Sequence, residues 1–291
     1  MSVFLLAVAI LGVSASGPLM AAIAAPALAI AFWRNAAATV LLAPFALTAG
    51  RRDLMRLGRR RWGLVVFAGV MLAGHFATWI AALKLTSVAA AIALVSMQVL
   101  WVVVIEAFRG TRTAPVVLAG CALAIAGVLA ITGVDLGVSR DALIGDALAL
   151  AGGLFAALYV VAGGRARASM STTTYTFCVY GVCSVTTAAL CVALGVGLTG
   201  ISGRDWWLIA GVVLCAQFLG HSIINHLLAV MTPVVISLAL LLEVPTAAML
   251  AAVFLGEALP WGTYVGLALI LGGLVVVISA QGRRVPPPAP A

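Results

Sequence analysis

The chain repeats one apolar stretch, and the clearer copy is Gly220–Gly273, GHSIINHLLAVMTPVVISLALLLEVPTAAMLAAVFLGEALPWGTYVGLALILGG. A shift of 146 residues, without a gap, aligns this stretch with residues 74–127 and gives 12 identities over 54 positions. Five identities are Ala, Leu or Val, which any apolar sequence supplies. The other seven involve residues that are not common filler in an apolar helix: Gly74, His75, Thr86, Phe108, Gly110, Gly120 and Gly127. A long repeat in an apolar chain is typical of membrane proteins built from two related halves.

Composition places the chain in the membrane. Of its 291 residues, 65% are hydrophobic and 8% are charged, whereas soluble domains are about a quarter charged. The net charge of +8 comes from residues in loops, so it does not indicate nucleic-acid binding. The five cysteines lie inside apolar segments, where we expect them to pack as small apolar side chains and not to form disulfides.

The sequence predicts an all-α membrane protein with ten transmembrane helices, because a span needs about 20 apolar residues. The breaks at Gly17-Pro18 and Ala25-Pro26 fall in the first 48 residues, and Pro26 divides two spans there. Short loops separate the predicted spans at 3–24, 27–48, 62–83, 86–107, 114–134, 142–163, 172–197, 206–229, 232–254 and 260–280.

Basic residues predict the orientation of the spans. Twelve arginines lie in the loops after spans 2, 4, 6 and 10, whereas the opposite loops hold only Lys84, Arg140 and Arg204. Basic loops stay in the cytoplasm, so both termini are expected there. Five spans in each half then make an inverted repeat, with units at 1–137 and 138–281 and a proline-rich, disordered tail at 282–291. The arginine run at 51–61 has an alternative use in binding anionic lipid or another acidic partner.

The second half resembles the EamA domain of the drug/metabolite transporter superfamily. The resemblance rests on Phe254–Pro260, FLGEALP, on the glycines that follow it and on the upstream Pro245. In the first half, Arg34 matches an arginine of the family. That half departs from the pattern where Val99 replaces the usual proline and Thr111 replaces the usual glutamate.

The resemblance implies a secondary transporter of small metabolites, multi-pass in the cell inner membrane, without cofactor, metal or enzymatic activity. Within the family, the branch that resembles YddG exports amino acids, and we take apolar or aromatic amino acids as the expected substrates. The expected partners are a small-molecule substrate and the lipid bilayer, with no nucleic acid and no obligatory protein partner. An intramembrane enzyme, a flippase-like lipid handler and a channel are the alternatives.

Polar side chains inside apolar spans are expensive, so each one is a candidate for function. His75 and His221 occupy equivalent positions of the repeat, and four residues further on the same helix faces are Trp79 and Asn225. Gln98, Trp101 and Glu243 lie near the centres of spans 4 and 9, and Tyr159 lies in span 6. We expect these eight residues to line a substrate site near the bilayer midplane, with helix packing as the alternative for the histidines and aromatic residues.

Glu243 has two interpretations. An isolated carboxylate in hydrocarbon is neutral, and its protonation could couple transport to pH. Arg34 would instead hold it ionised in a structural ion pair. Glu106 and Arg109, at the end of span 4, are expected to form an ordinary helix-end pair.

Overall fold

A computed structural model describes residues 2–86, 88–110, 114–132, 139–255 and 261–282, and every regular element in these ranges is helical. Residues 283–291 of the tail, the Gly256–Pro260 part of the FLGEALP motif and Thr111 lie outside the described residues, whereas Gly282 ends the last helix. The helices are α1 Ser2–Ser14, α2 Ser16–Ala21, α3 Ala27–Leu47, α4 Arg51–Met55, α5 Arg59–Ala82, α6 Val88–Val95, α7 Gln98–Phe108, α8 Pro115–Thr132, α9 Arg140–Arg167, α10 Thr172–Ala193, α11 Gly203–Val212, a π-helix Val213–Ser222, α12 Ile223–Leu227, α13 Pro233–Leu240, α14 Glu243–Leu255 and α15 Trp261–Gly282.

Seven helical segments of the described chain are long and apolar enough to cross a membrane. They are Ser2–Ala21, Ala27–Leu47, Arg59–Ala82, Ala90–Phe108, Arg140–Arg167, Thr172–Ala193 and Gly203–Leu227. Shorter apolar stretches, Pro115–Gly127, Pro233–Ala247 and Tyr264–Gly273, lie at the other three predicted spans. The all-helical membrane fold is confirmed for the described residues, whereas the count of ten spans stays a prediction.

Three of the predicted spans are interrupted, the first of them close to the break that the sequence showed at Gly17-Pro18. The breaks lie at Ala15 between α1 and α2, at 96–97 between α6 and α7, and at 241–242 between α13 and α14. Pro18 and Pro245 explain two of them, because a proline offers no N–H to the carbonyl four residues earlier and its ring collides with that carbonyl. The break at 96–97 has no proline; there the Ser96 hydroxyl donates back to the Ile92 carbonyl at 2.7 Å, a bond that bends helices.

The breaks in α6–α7 and α13–α14 fall at almost the same position of the repeat, since 96–97 shifted by 146 gives 242–243. The two halves therefore share this break, although Val99 and Pro245 occupy equivalent positions of the repeat.

A π-helix interrupts the span Gly203–Leu227, whereas its repeat partner α5 is a regular α-helix. Two hydroxyl groups contact the Gln217 carbonyl inside it, from Ser222 at 2.9 Å and from Tyr180 at 3.2 Å. π-Helical segments are rare and are frequently found at functional sites.

Glycines allow several helices to approach each other closely. On α9, a Cβ at Gly153 would lie 2.8 Å from the Val95 carbonyl, and on the π-helix a Cβ at Gly220 would lie 2.6 Å from the Val13 side chain. The backbone of α9 therefore contacts the break between α6 and α7, and the π-helix contacts α1.

Polar contacts also connect the ends of several spans. Asp205 accepts a hydrogen bond from the Ala24 amide at 3.2 Å, and the Trp33 indole donates to the Leu198 carbonyl at 2.9 Å. Lys84 donates to the Met20 and Ile23 carbonyls at the end of α2. Burial lowers the pKa of Lys84, and the Asp205 carboxylate acts in the opposite direction. Asp205 and Leu198 thus hold the α2–α3 connection and the start of α3 against the second half, and Lys84 holds that connection against the end of α5.

Candidate functional site

A cavity that is partly open to solvent lies between the two halves. Each half supplies seven of its lining residues. The lining consists of Val13, Ser16, His75, Trp79, Val95, Ser96, Gln98, Ala156, Tyr159, Val160, His221, Ile224, Leu240 and Glu243. Six of the eight residues that the sequence predicted for a substrate site are among them: His75, Trp79, Gln98, Tyr159, His221 and Glu243.

Helix α5 presents two stacked rings to the cavity. His75 and Trp79 are one turn apart, with ring centroids separated by 5.6 Å and ring planes inclined by 13°. His75 Nδ1 lies 3.1 Å from the Gly152 carbonyl, which can only accept, so Nδ1 carries the hydrogen. The Trp79 indole nitrogen is buried and has no hydrogen-bond partner among the described residues. An indole N–H is a donor only, so the cavity holds one free donor here.

The π-helix places His221 opposite these rings. Its ring lies 6.3 Å from that of His75 and 6.4 Å from that of Tyr159, and it meets Phe76 edge-on at 5.3 Å. The buried Nδ1 atom of His221 has no partner within the described part of the chain. A second polar atom therefore remains available to a ligand.

The helix breaks place Gln98 and Glu243 at the cavity. Each is the first residue of its helix, α7 or α14. The Gln98 amide donates to the Ser237 hydroxyl at 3.4 Å, which links the two halves. Glu243 forms no hydrogen bond and no ion pair with any described residue.

Asn225 does not line the cavity but supports a residue that does. Its side-chain oxygen accepts the hydrogen bond of the Tyr159 hydroxyl, and its amide lies 3.5 Å from the Thr176 hydroxyl. The Asn225 carbonyl accepts from Arg167 at 2.8 Å. Asn225 therefore fixes the Tyr159 ring from behind.

Trp101 also lies outside the lining. It is one helical turn beyond Gln98 on α7, about 4.5 Å along the helix axis, and 36% of its surface is exposed. The extra turn takes the indole past the cavity.

Arg34 is fully buried and bound to residues other than Glu243. Its Nε and Nη2 atoms donate to the Gln217 side-chain oxygen at 3.0 and 2.6 Å, and its guanidinium lies 4.0 Å from the centre of the Phe76 ring. The Gln217 amide donates in turn to Asn35 at 2.9 Å. The structure does not pair Arg34 with Glu243, because the guanidinium is directed to Gln217. The predicted pair of Glu106 and Arg109 is present.

Sequence reasoning missed Gln217 and the contribution of the first span. Gln217 is an uncharged amide in an apolar helix, and its lack of a polar repeat partner concealed it. Val13 and Ser16 line the cavity at the break between α1 and α2, and the available signal was the serine pair directly before Gly17-Pro18.

Comparisons with known proteins bear on this fold. No curated protein matches the chain in sequence. A solved crystal structure is similar, with a TM-score of 0.76 and 22% identity, covering 98% of this chain and 99% of that chain. At this identity the similarity concerns the fold alone. The EamA-like transporter family matches residues 1–133 and 143–279. These two matches cover both halves, so the chain belongs to the EamA-like transporter family and is a multi-pass membrane protein.

Proposed function

We propose that this transporter moves a small amphipathic metabolite by alternating access, with the cavity between its halves as the substrate site. The supporting observation is the equal contribution of both halves to the lining. If one half rocks against the other, the cavity changes its exposure without being rebuilt. The paired breaks beside Gln98 and Glu243 resemble the discontinuous helices that form such sites in other transporters.

The lining supports a substrate with both an apolar and a polar part. Aromatic rings of His75, Trp79, Tyr159 and His221 offer faces for stacking, and Gln98 and Glu243 offer polar groups. Aromatic and other apolar amino acids are therefore the first candidates, with export from the cytoplasm as the proposed direction. The arginine-rich loops support cytoplasmic termini in the cell inner membrane.

Transport by the purified full chain in liposomes tests this proposal. Liposomes preloaded with one unlabelled solute should accumulate the same labelled solute transiently, for at least one compound in a panel of amino acids, amines and nucleosides. Trp79→Ala should reduce this exchange at least fivefold without loss of folded protein. Trp101→Ala is the matched control, because the same ring is removed outside the lining, and it should exchange normally. Absence of exchange for the whole panel, or equal losses in both variants, would contradict the proposal.

A further inference from the structure

The charged groups of the cavity determine which class of substrate it binds. Glu243 is the only described lining residue with a carboxyl, ammonium or guanidinium side chain. It is the first residue of α14, a helix of 13 residues, whose first amides bond within the preceding turn, from Val244 to the Leu241 carbonyl at 3.3 Å and from Thr246 to the Leu242 carbonyl at 3.2 Å. No described residue neutralises it by a hydrogen bond or ion pair. The cavity therefore offers one acidic group, whose ionised form a bound cation would favour.

The nearest buried cation does not serve a ligand. Arg34 is 0% exposed and lies outside the lining, with its guanidinium occupied by Gln217, the Met20 sulfur and the Phe76 ring. A substrate carboxylate would have to displace Gln217 from two short hydrogen bonds to reach it. Such a group entering the cavity would consequently lack a cationic partner.

The break before α7 does not replace that cation. Its amides largely bond within the turn, from Met97 to the Leu94 carbonyl at 3.1 Å, from Val99 to Ser96 at 3.4 Å and from Leu100 to Met97 at 3.0 Å. These bonds occupy donors that an open helix end would direct at an anion. A carboxylate would find only neutral donors, such as the Trp79 indole, which compensate poorly for its lost hydration.

Aromatic faces surround the carboxylate instead. His75 and Trp79 form one stacked wall, and Tyr159 and His221 line the same cavity. Faces of tryptophan and tyrosine attract cations and stack on planar rings. The lining thus combines one acid with surfaces that suit an ammonium group attached to an aromatic ring.

We infer that this site selects small aromatic amines, with the ammonium group at Glu243 and the ring against His75 and Trp79, and that a substrate carboxylate disfavours binding. This inference rests on the proposed transport function, and within the class of small amphipathic metabolites it replaces the amino acids by the corresponding amines as the better ligands. An aromatic amino acid and its decarboxylated amine share ring and ammonium group, so the amine of each pair is the better ligand.

Matched pairs of ligands test the inference on the purified full chain. Binding of tryptamine and tryptophan, and of phenethylamine and phenylalanine, is measured by calorimetry at neutral pH, and exchange of each is measured in liposomes. Each amine should bind at least tenfold more tightly than its amino acid. Glu243→Gln should weaken amine binding at least tenfold, and Glu106→Gln, which removes an acid outside this cavity, should leave it unchanged.

Glu243→Asp keeps the carboxyl group and provides a second test if the Glu243→Gln variant does not fold. It should retain the preference for amines. Equal or tighter binding of the amino acids, amine binding that survives Glu243→Gln in folded protein, or absence of amine binding would each overturn the inference. Exchange of another panel solute without amine binding would overturn the inference and leave the transport function standing, whereas no exchange at all would overturn both.

Discussion

Replacing Gln217 by leucine should destabilise the protein strongly, because Gln217 is the hydrogen-bond partner of a fully buried arginine. Its side-chain oxygen accepts two bonds from Arg34, at 3.0 and 2.6 Å. Hydrogen bonds to charged groups contribute about 1.5–3 kcal/mol each, so the pair sets an upper range of about 3–6 kcal/mol. Polar contacts between membrane helices measure lower than such sums, and we therefore expect a loss of about 3 kcal/mol.

The assay is reversible unfolding of the purified chain in mixed micelles, followed by circular dichroism. Gln98→Leu is the matched control, since Gln98 makes one bond between neutral groups at 3.4 Å, and it should cost about 1 kcal/mol or less. Adding Arg34→Met to Gln217→Leu should recover part of the loss, because removing both partners leaves no unpaired buried charge. A residual deficit should come from the bond between Gln217 and Asn35 at 2.9 Å. Equal losses in the Gln217 and Gln98 variants, or no recovery in the double variant, would refute this account of Arg34.

Three further predictions concern the site and the topology. His221→Ala should lower transport at least fivefold at normal amounts of folded protein, whereas His226→Ala should not, since only His221 lines the cavity; transport assays in liposomes compare the two. A cysteine at Ser202 should react with an impermeant thiol reagent outside intact cells, whereas cysteines in the loop 51–61 should not; labelling of the loop would contradict the inverted topology. In Glu243→Gln, a proton gradient should no longer drive accumulation of substrate, because the cavity acid that could exchange protons is gone; accumulation as in the wild type, measured in pH-jumped liposomes, would leave facilitated diffusion as the mechanism.

The repeat made part of the site predictable. His75 and His221 stood out because polar residues at equivalent positions of an apolar repeat are conspicuous, and the structure brings their rings to 6.3 Å. Glu243 stood out because burying a carboxyl group in an apolar span costs free energy. Pairing was not predictable, because the sequence shows that Arg34 needs a partner but not which polar group reaches it. Gln217 reaches it from a π-helix that no residue pattern announced.

The positions of the helix breaks were only partly predictable from the sequence. Pro245 was visible, yet the equivalent break at 96–97 occurs without proline, where the Ser96 hydroxyl donates to the Ile92 carbonyl. Trp101 and Asn225 were expected at the cavity because spacing along a helix predicts a shared face. Depth along the helix and side-chain contacts decide what a residue on that face touches, and Asn225 touches Tyr159.

Access to the cavity from each side of the membrane tests the central claim most directly. A single cysteine in place of Ser96, in a chain whose five native cysteines are replaced, would be exposed to an impermeant thiol reagent in right-side-out and in inverted vesicles. The account predicts labelling from both sides, slowed in both by a transported solute. Labelling from neither side, or labelling that no transported solute slows, would contradict a substrate cavity with alternating access.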